Sequence, residues 1–300
     1  MNFKEELTQK TEQMEMVLKQ YLPKEEGYAK TVIEAMNYSI SAGGKRLRPM
    51  LMWETAALFG GALECIRPFM AALEMIHNYS LVHDDLPSMD NDEYRRGRKT
   101  THVVYGEGMA VLAGDGLLNY AFETAASAFD LASGPEECRV IGKAMQILAG
   151  KAGIYGMIGG QCADLNAEEM GEQVSEEMLM YIHEHKTAAL IQCAMMIGAV
   201  LAGASEEETA LVEKCAYNIG IAFQIQDDIL DVTGSQEVLG KPVGSDAKNH
   251  KLTYVSMHGL KESAEKVEEL SKEAIAILAS FPQRNFFLEQ LVEQLIYREK

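Results

Sequence analysis

Two stretches of this chain, residues 190–202 and 219–230, are apolar on nearly every side of a helical wheel. A helix of that kind has no face to offer water and must be surrounded by other helices. The rest of the sequence agrees with an all-α fold. The period-two alternation that marks half-buried strands is scarce, while Ala, Leu, Met, Glu and Lys recur at helical spacing. The seven prolines sit mostly where helices would begin or end. Helices are expected over about 3–21, 26–41, 47–59, 67–86, 108–132, 136–150, 176–202, 206–233, 260–280 and 283–297. Breaks are expected at Gly43-Gly44, Gly60-Gly61, Ser133-Gly134-Pro135 and 234–244. With no Pro-, Gly- or Ser-rich linker and no internal repeat, one all-α domain over 1–300 is the simplest account. The long polar loop over 88–107 is a candidate for function.

Composition limits the function classes. The 300 residues are 47% hydrophobic, enough for one large core or two smaller ones. A net charge of -18 excludes the basic footprint that non-specific nucleic-acid binding requires. Five scattered cysteines without a CxxC pair read as small buried hydrophobes in a reducing compartment. The start, Met1-Asn2-Phe3-Lys4-Glu5-Glu6, is charged, unlike a signal peptide. No run of about 20 uncharged apolar residues predicts a membrane span. The expectation is a soluble cytoplasmic protein.

Two aspartate-rich stretches lie about 140 residues apart: Asp84-Asp85-Leu86-Pro87-Ser88-Met89-Asp90, followed by Arg95-Arg96, and Asp227-Asp228-Ile229-Leu230-Asp231. Asp227 and Asp231, four apart on a helix, lie within roughly 40° of each other and can share a cation. Asp228 points elsewhere, as a supporting group, while Gln224 lies near the Asp227 face. Acids packed among Ile221, Phe223, Ile225 and Leu230 repel one another and lose hydration, so they call for a cation; the alternative is a solvated helix face. Asp84 and Asp90 do not share a face of a straight helix, but Pro87 should end the helix and let Asp90 swing back. His77, seven residues before Asp84, shares its face; taken alone it reads as a core histidine. Arg95 and Arg96 suit phosphate oxygens, or are an exposed basic loop. A third element, Gly43-Gly44-Lys45-Arg46-Leu47-Arg48-Pro49, sets a glycine pair before three cations at a helix start, which fits a second diphosphate held without metal. It lacks the spacing of a Walker A loop. Hard cations such as Mg2+ take one or two carboxylates plus phosphate oxygens, so the whole suggests a magnesium–diphosphate site whose ions offset the acidity.

These elements, in this order, resemble the trans-polyprenyl diphosphate synthases, most closely the bacterial short-chain group that makes farnesyl diphosphate. Gly114-Asp115, Gly159-Gly160-Gln161, His185-Lys186-Thr187 and Gly240-Lys241-Pro242 extend the match, which runs from about Tyr38 to the C-terminus. The resemblance implies an isoprenoid-synthase-type helical bundle around a deep central cavity, usually a homodimer. It implies Mg2+ on the allylic diphosphate (three ions, with Mn2+ as a substitute), held by Asp84, Asp90 and Asp227 with Asp85 and Asp231 in support. Arg95, Lys186 and Lys241 would contact that diphosphate. Lys45, Arg48, His77 and Arg96, beside Gly44, would bind isopentenyl diphosphate. Thr187 and Gln224 would line the carbocation, and Lys251 and Arg298 would join the substrate-binding set. Tyr79, with Ser80, would form a floor that stops growth at fifteen carbons; the tyrosine's other reading is an ordinary core residue. Lys99, Ala188 and Leu252 depart from the family pattern without removing a proposed ligand. The competing readings are a geranylgeranyl diphosphate synthase, a terpene cyclase, which would need no second diphosphate site, and a non-catalytic partner subunit, which would tend to lose aspartates.

Overall fold

The computed structural model describes residues 2–61, 64–233, 252–281 and 283–296. Among them the chain is all-α apart from one two-stranded hairpin. Its contacts group into two compact units, Met1–Trp53 with Ala62–Met145, and Glu54–Gly61 with Gln146–Lys300; the divisions fall inside α3 (Leu47–Ala57) and α7 (Pro135–Ala152).

The first unit is built on α4 (Ile66–Asp84), buried on almost every face, which packs against α6 (Glu107–Ala126) and also meets α1 (Phe3–Gln20) and α2 (Lys30–Ile40). Asn2 starts α1 with a reciprocal cap: its side chain accepts from Glu5 N–H and Glu5 accepts from its backbone. The loop over 88–107 is more ordered than its polarity suggests. Residues Tyr94–Arg95 (β1) and Arg98–Lys99 (β2) pair antiparallel, joined by Arg96-Gly97, both at positive φ (54° and 75°). That is the backbone of a two-residue hairpin turn, whose twist matches the strands. A short helix, α5 (Thr101–Tyr105), follows. The hairpin is tied down by the Tyr38 hydroxyl, which donates to Lys99 O (2.8 Å), and by Arg98 over the Tyr38 ring (4.4 Å). Only the backbone of Lys99 is used there, so its side-chain departure from the family pattern costs this anchor nothing.

The second unit centres on α10 (Ala189–Leu201) and α11 (Glu206–Thr233), the two stretches read as apolar all round, with α12 (Tyr254–Ser280) along α11 and α13 (Phe286–Ile296) beside both α11 and α12. Ser205 and Glu208 cap α11 reciprocally, and Thr253 and Ser256 do the same for α12. Three features depart from the sequence expectation. Residues Met157–Met170 form a helix, α8, despite Gly159-Gly160. The expected helix over 176–202 is divided: α9 (Glu176–Ile182) passes into a π turn at His183–Ala188 before α10. And α12 begins at Tyr254, before the expected 260, with a break at Gly259 (φ 79°).

The first two departures share a cause. A methyl group on Gly160 would lie 2.1 Å from Lys186 N, and one on Gly220 of α11 would lie 2.3 Å from Ala188 Cβ. Bare backbone on α8 and α11 therefore touches the π turn, and tertiary packing outweighs the roughly 1 kcal/mol helix penalty of each glycine. The same space at Gly220 accommodates Ala188.

Arg46, one of the three cations after Gly43-Gly44, does not face solvent. It is 2% exposed with φ at 48°, and donates to Glu74 (2.7 Å), Glu15 (2.6 Å) and Ile40 O (2.7 Å). Removing one partner of such a group strands a buried charge. Arg46→Met is therefore expected to cost about 3–5 kcal/mol, and adding Glu74→Leu to recover much of it, as read from urea denaturation midpoints.

Candidate active site

In the first unit, α4 ends at Asp84 and the chain turns at once. Leu86 N–H donates to His83 O, and Asp90 N–H donates back to Asp84 O at 2.9 Å, so the turn at Pro87 brings the backbones of these two residues, six apart, together. Asp84 is half-buried and Asp90 exposed. Asp85 lies differently. It is 4% exposed and accepts from Arg95 Nε at 2.7 Å. Burial raises its pKa more than Arg95 lowers it. The aspartates flanking the turn thus stay more exposed than the buried Asp85, which holds Arg95.

The basic elements gather around His77. Arg96 donates to Gly43 O, and a methyl on Gly44 (φ 147°) would meet its guanidinium at 2.7 Å, so only glycine allows that approach. The pKa of His77 is driven well below the usual imidazole value, first by burial and then by Arg48, Arg96, Arg46 and Arg95. His77 is therefore neutral at pH 7, within a field that favours anions. Lys45 is exposed at the start of this loop. Sequence reading assigned Arg46 to the basic element without seeing that it is internal; its left-handed backbone turns the side chain inward, and no pattern of residue types reports that.

Tyr79 is 6% exposed and packs edge-on against His83 (centroids 5.8 Å). His83 in turn occupies space left by Gly114, where a methyl would meet its ring at 2.0 Å, with its Nε2 3.2 Å from Val111 O. Gly114 thus acquires a structural reason. The Ser80 hydroxyl donates to His77 O (2.9 Å) within its own helix.

In the second unit, the Thr187 hydroxyl donates to Gln224 Oε1 (2.9 Å), and Gln224 Nε2 lies 3.5 Å from Asp228 Oδ1. Asp228, 5% exposed, accepts from Tyr254 N–H (2.9 Å) and lies 3.9 Å from His183 Nε2. It holds the start of α12 to α11. Asp227 is exposed and Asp231 half-buried on the same side of α11. Lys186 pairs with Asp164 on α8 at 2.5 Å. Among the described residues, a cavity of about 220 Å³ is lined by Asp164, Lys186, Thr187, Gln224, Asp228 and Leu252 with their neighbours. Asp164 and His183 were not singled out from sequence, although Asp164 stands three residues beyond Gly159-Gly160-Gln161. Lys241, Lys251 and Arg298 lie outside the described residues.

Among the described residues, no three His, Cys, Asp or Glu side chains converge as a ready cage for an ion. An ion at Asp84 and Asp90, or at Asp227 and Asp231, would take only a few carboxylate oxygens and complete its shell from phosphate and water. That donor set fits Mg2+.

Burial and the Asp84 charge push the Tyr79 phenol up to about 12. Between its ordinary value of 10.0 and 12 the folded chain keeps a proton that the unfolded chain sheds. Stability from this group is thus complete below pH 10 and is lost as pH rises through 12, roughly 2–3 kcal/mol in all. Tyr79→Phe is expected to remove that alkaline slope. It should not lower stability at pH 7, because Tyr79 Oη meets no hydrogen-bond partner among the described residues. Denaturation midpoints of both proteins between pH 7 and 11.5 check both statements.

The sequence profile described as polyprenyl synthetase matches residues 29–284. The chain is 44% identical to a farnesyl diphosphate synthase from Geobacillus stearothermophilus over 261 residues, covering 87% of this chain and 86% of that one. It is 41% identical to a geranylgeranyl diphosphate synthase from Cyanophora paradoxa over 292 residues, 97% and 95% of the two chains. Its fold is similar to that of a geranyltransferase from Helicobacter pylori solved with magnesium and isoprenyl diphosphate (TM-score 0.80, 31% identity, 99% and 97% covered). With this match across nearly its whole length, the chain belongs to the polyprenyl synthetase family and is a trans-prenyltransferase.

Proposed function

We propose that the chain, acting as one catalytic domain, condenses isopentenyl diphosphate with dimethylallyl or geranyl diphosphate, 1'-4 and trans, to give farnesyl diphosphate. The observation that carries the reading is the basic group of the first unit: Gly43, Gly44, Arg48 and Arg96 around a neutral His77. It supplies cations for an anion and needs no metal, which is what a second, non-ionising diphosphate requires. An enzyme that only ionises and cyclises one allylic diphosphate has no use for it.

The residues divide the work as follows. Lys45, Arg48, His77 and Arg96 hold isopentenyl diphosphate through charge-assisted hydrogen bonds. Asp84, Asp90, Asp227 and Asp231 would hold magnesium on the allylic diphosphate (three ions in our reading, Mn2+ serving as a substitute), and the ions would supply positive charge to offset that of the departing group. Arg95 and Lys186 donate to the same diphosphate. The hydrogen-bonded oxygens of Thr187 and Gln224 face the allylic cation, and apolar walls exclude the water that would quench it. The isopentenyl double bond then attacks, and the released diphosphate takes the proton, since no side chain stands out as a base. We further propose that the enzyme works as a cytoplasmic homodimer.

Chain length rests on Tyr79. It sits five residues, roughly 7.5 Å of helix, before Asp84, and it is buried against His83. A rigid ring at that depth suits a fifteen-carbon floor. The second reading is a twenty-carbon product, favoured by the likeness to the Cyanophora paradoxa enzyme.

Product analysis with isopentenyl diphosphate and either starter, in Mg2+ and in EDTA, tests the proposal. Mg-dependent C15 product is expected; C20 product would keep the reaction and remove Tyr79 as the floor, and no condensation from folded protein would overturn the reading. Asp227→Ala is expected to lower turnover by roughly 10²–10³-fold while the fold, followed by circular dichroism, is retained. Tyr79→Ala should lengthen the product.

A further inference from the structure

The proposed chemistry leaves the matched segment Gly159-Gly160-Gln161 without a role. Its place in the second unit supplies one. Gly160 lays the bare backbone of α8 against the backbone of Lys186 in the π turn: a methyl there would lie 2.1 Å from Lys186 N and 2.6 Å from His185 C. Asp164 follows four residues later, one helical turn along the same face. Its carboxylate, 4% exposed, sits 2.5 Å from Lys186 Nζ, while the Lys186 side chain is 30% exposed. The ammonium is thus pinned at its inner side and open at its outer side.

A lysine carries three N–H donors on a flexible stem. A carboxylate as buried as Asp164 holds one of them firmly, because letting go would leave its own charge stranded. The remaining donors then meet an arriving anion in a preset position, where a free lysine would first have to be gathered from solvent. Other contacts keep the π turn itself in place. His185 stacks on Tyr181 (3.9 Å) and holds Tyr181 O at 2.9 Å, and Thr187 bonds to Gln224.

We infer that Asp164 is a positioning residue for the transfer reaction: it fixes the Lys186 ammonium so that its outer N–H groups receive the allylic diphosphate. The inference rests on the proposed contact between Lys186 and that diphosphate. Asp164 itself touches no reacting atom.

The test is a double-mutant cycle of Asp164→Asn and Lys186→Gln in the full chain. Asp164→Asn is expected to lower kcat about 10–100-fold and to leave KM for isopentenyl diphosphate within about twofold, because its effect is confined to the allylic side. The double variant should be no slower than Lys186→Gln alone, since Asp164 acts through Lys186. Calorimetry with inorganic pyrophosphate and Mg2+ should show about tenfold weaker binding to Asp164→Asn than to the unaltered protein. Unchanged kcat and pyrophosphate affinity would overturn the inference. So would additive losses in the double variant, which would mean that Asp164 acts independently of Lys186. If Asp164→Asn does not fold, Asp164→Glu decides: lowered kcat at an unchanged melting temperature supports the inference, and unaltered kcat overturns it. An unaltered protein that forms no prenyl product would refute the proposed function instead, and the pyrophosphate comparison would still decide the role of Asp164.

Discussion

A carboxylate taken out of water must be met by donors, and both units are arranged around that requirement. Glu74 is met by Arg46, Asp85 by Arg95, Asp164 by Lys186 and Asp228 by the Tyr254 backbone N–H. Each acid is nearly inaccessible. The cost of burial is visible at Asp85, whose carboxyl is harder to ionise than usual even with a guanidinium at 2.7 Å. In water such pairs contribute little; inside the protein, breaking one is expensive, so they fix the position of whatever carries them. Here they fix the Pro87 turn, the basic loop, the π turn and the start of α12.

The same requirement sorts the aspartates. In each rich stretch, one member is drawn inward and its neighbours stay toward solvent: Asp85 against Asp84 and Asp90, Asp228 against Asp227 and Asp231. The inward member organises protein, and the outward members are the ones proposed to hold a cation. Cations are sorted likewise. Arg46 is consumed by the core, whereas Arg95 and Lys186 pair with a buried acid and stay partly exposed. A net charge of -18 is compatible with diphosphate chemistry on these terms, because the local charge is set by which groups are paired.

Much of this was legible in the residues. The caps at Asn2 and Ser205 and the apolar run of α11 have local causes, so α1 and α11 appear close to where periodicity puts them. The turn at Pro87 is also local, since proline restricts its own backbone and that of Leu86. No helix was expected over α8, and only the close approach of Gly160 to Lys186 shows what its missing side chain is for. The hairpin at Arg96-Gly97 hid in a polar loop, since an arginine at positive φ carries no compositional mark.

By itself, the sequence determined the helical class, the positions of most helices and the family to which the order of its motifs belongs. Those properties follow from spacing along the chain, which a residue carries wherever the chain goes. Only the tertiary structure decided which acids are buried, which cations are spent on them, that the helix before α10 is widened into a π turn, and that Asp164 meets Lys186. These depend on contacts between segments far apart in sequence, where the desolvation of one group is balanced by the approach of another, and no local pattern records the partner.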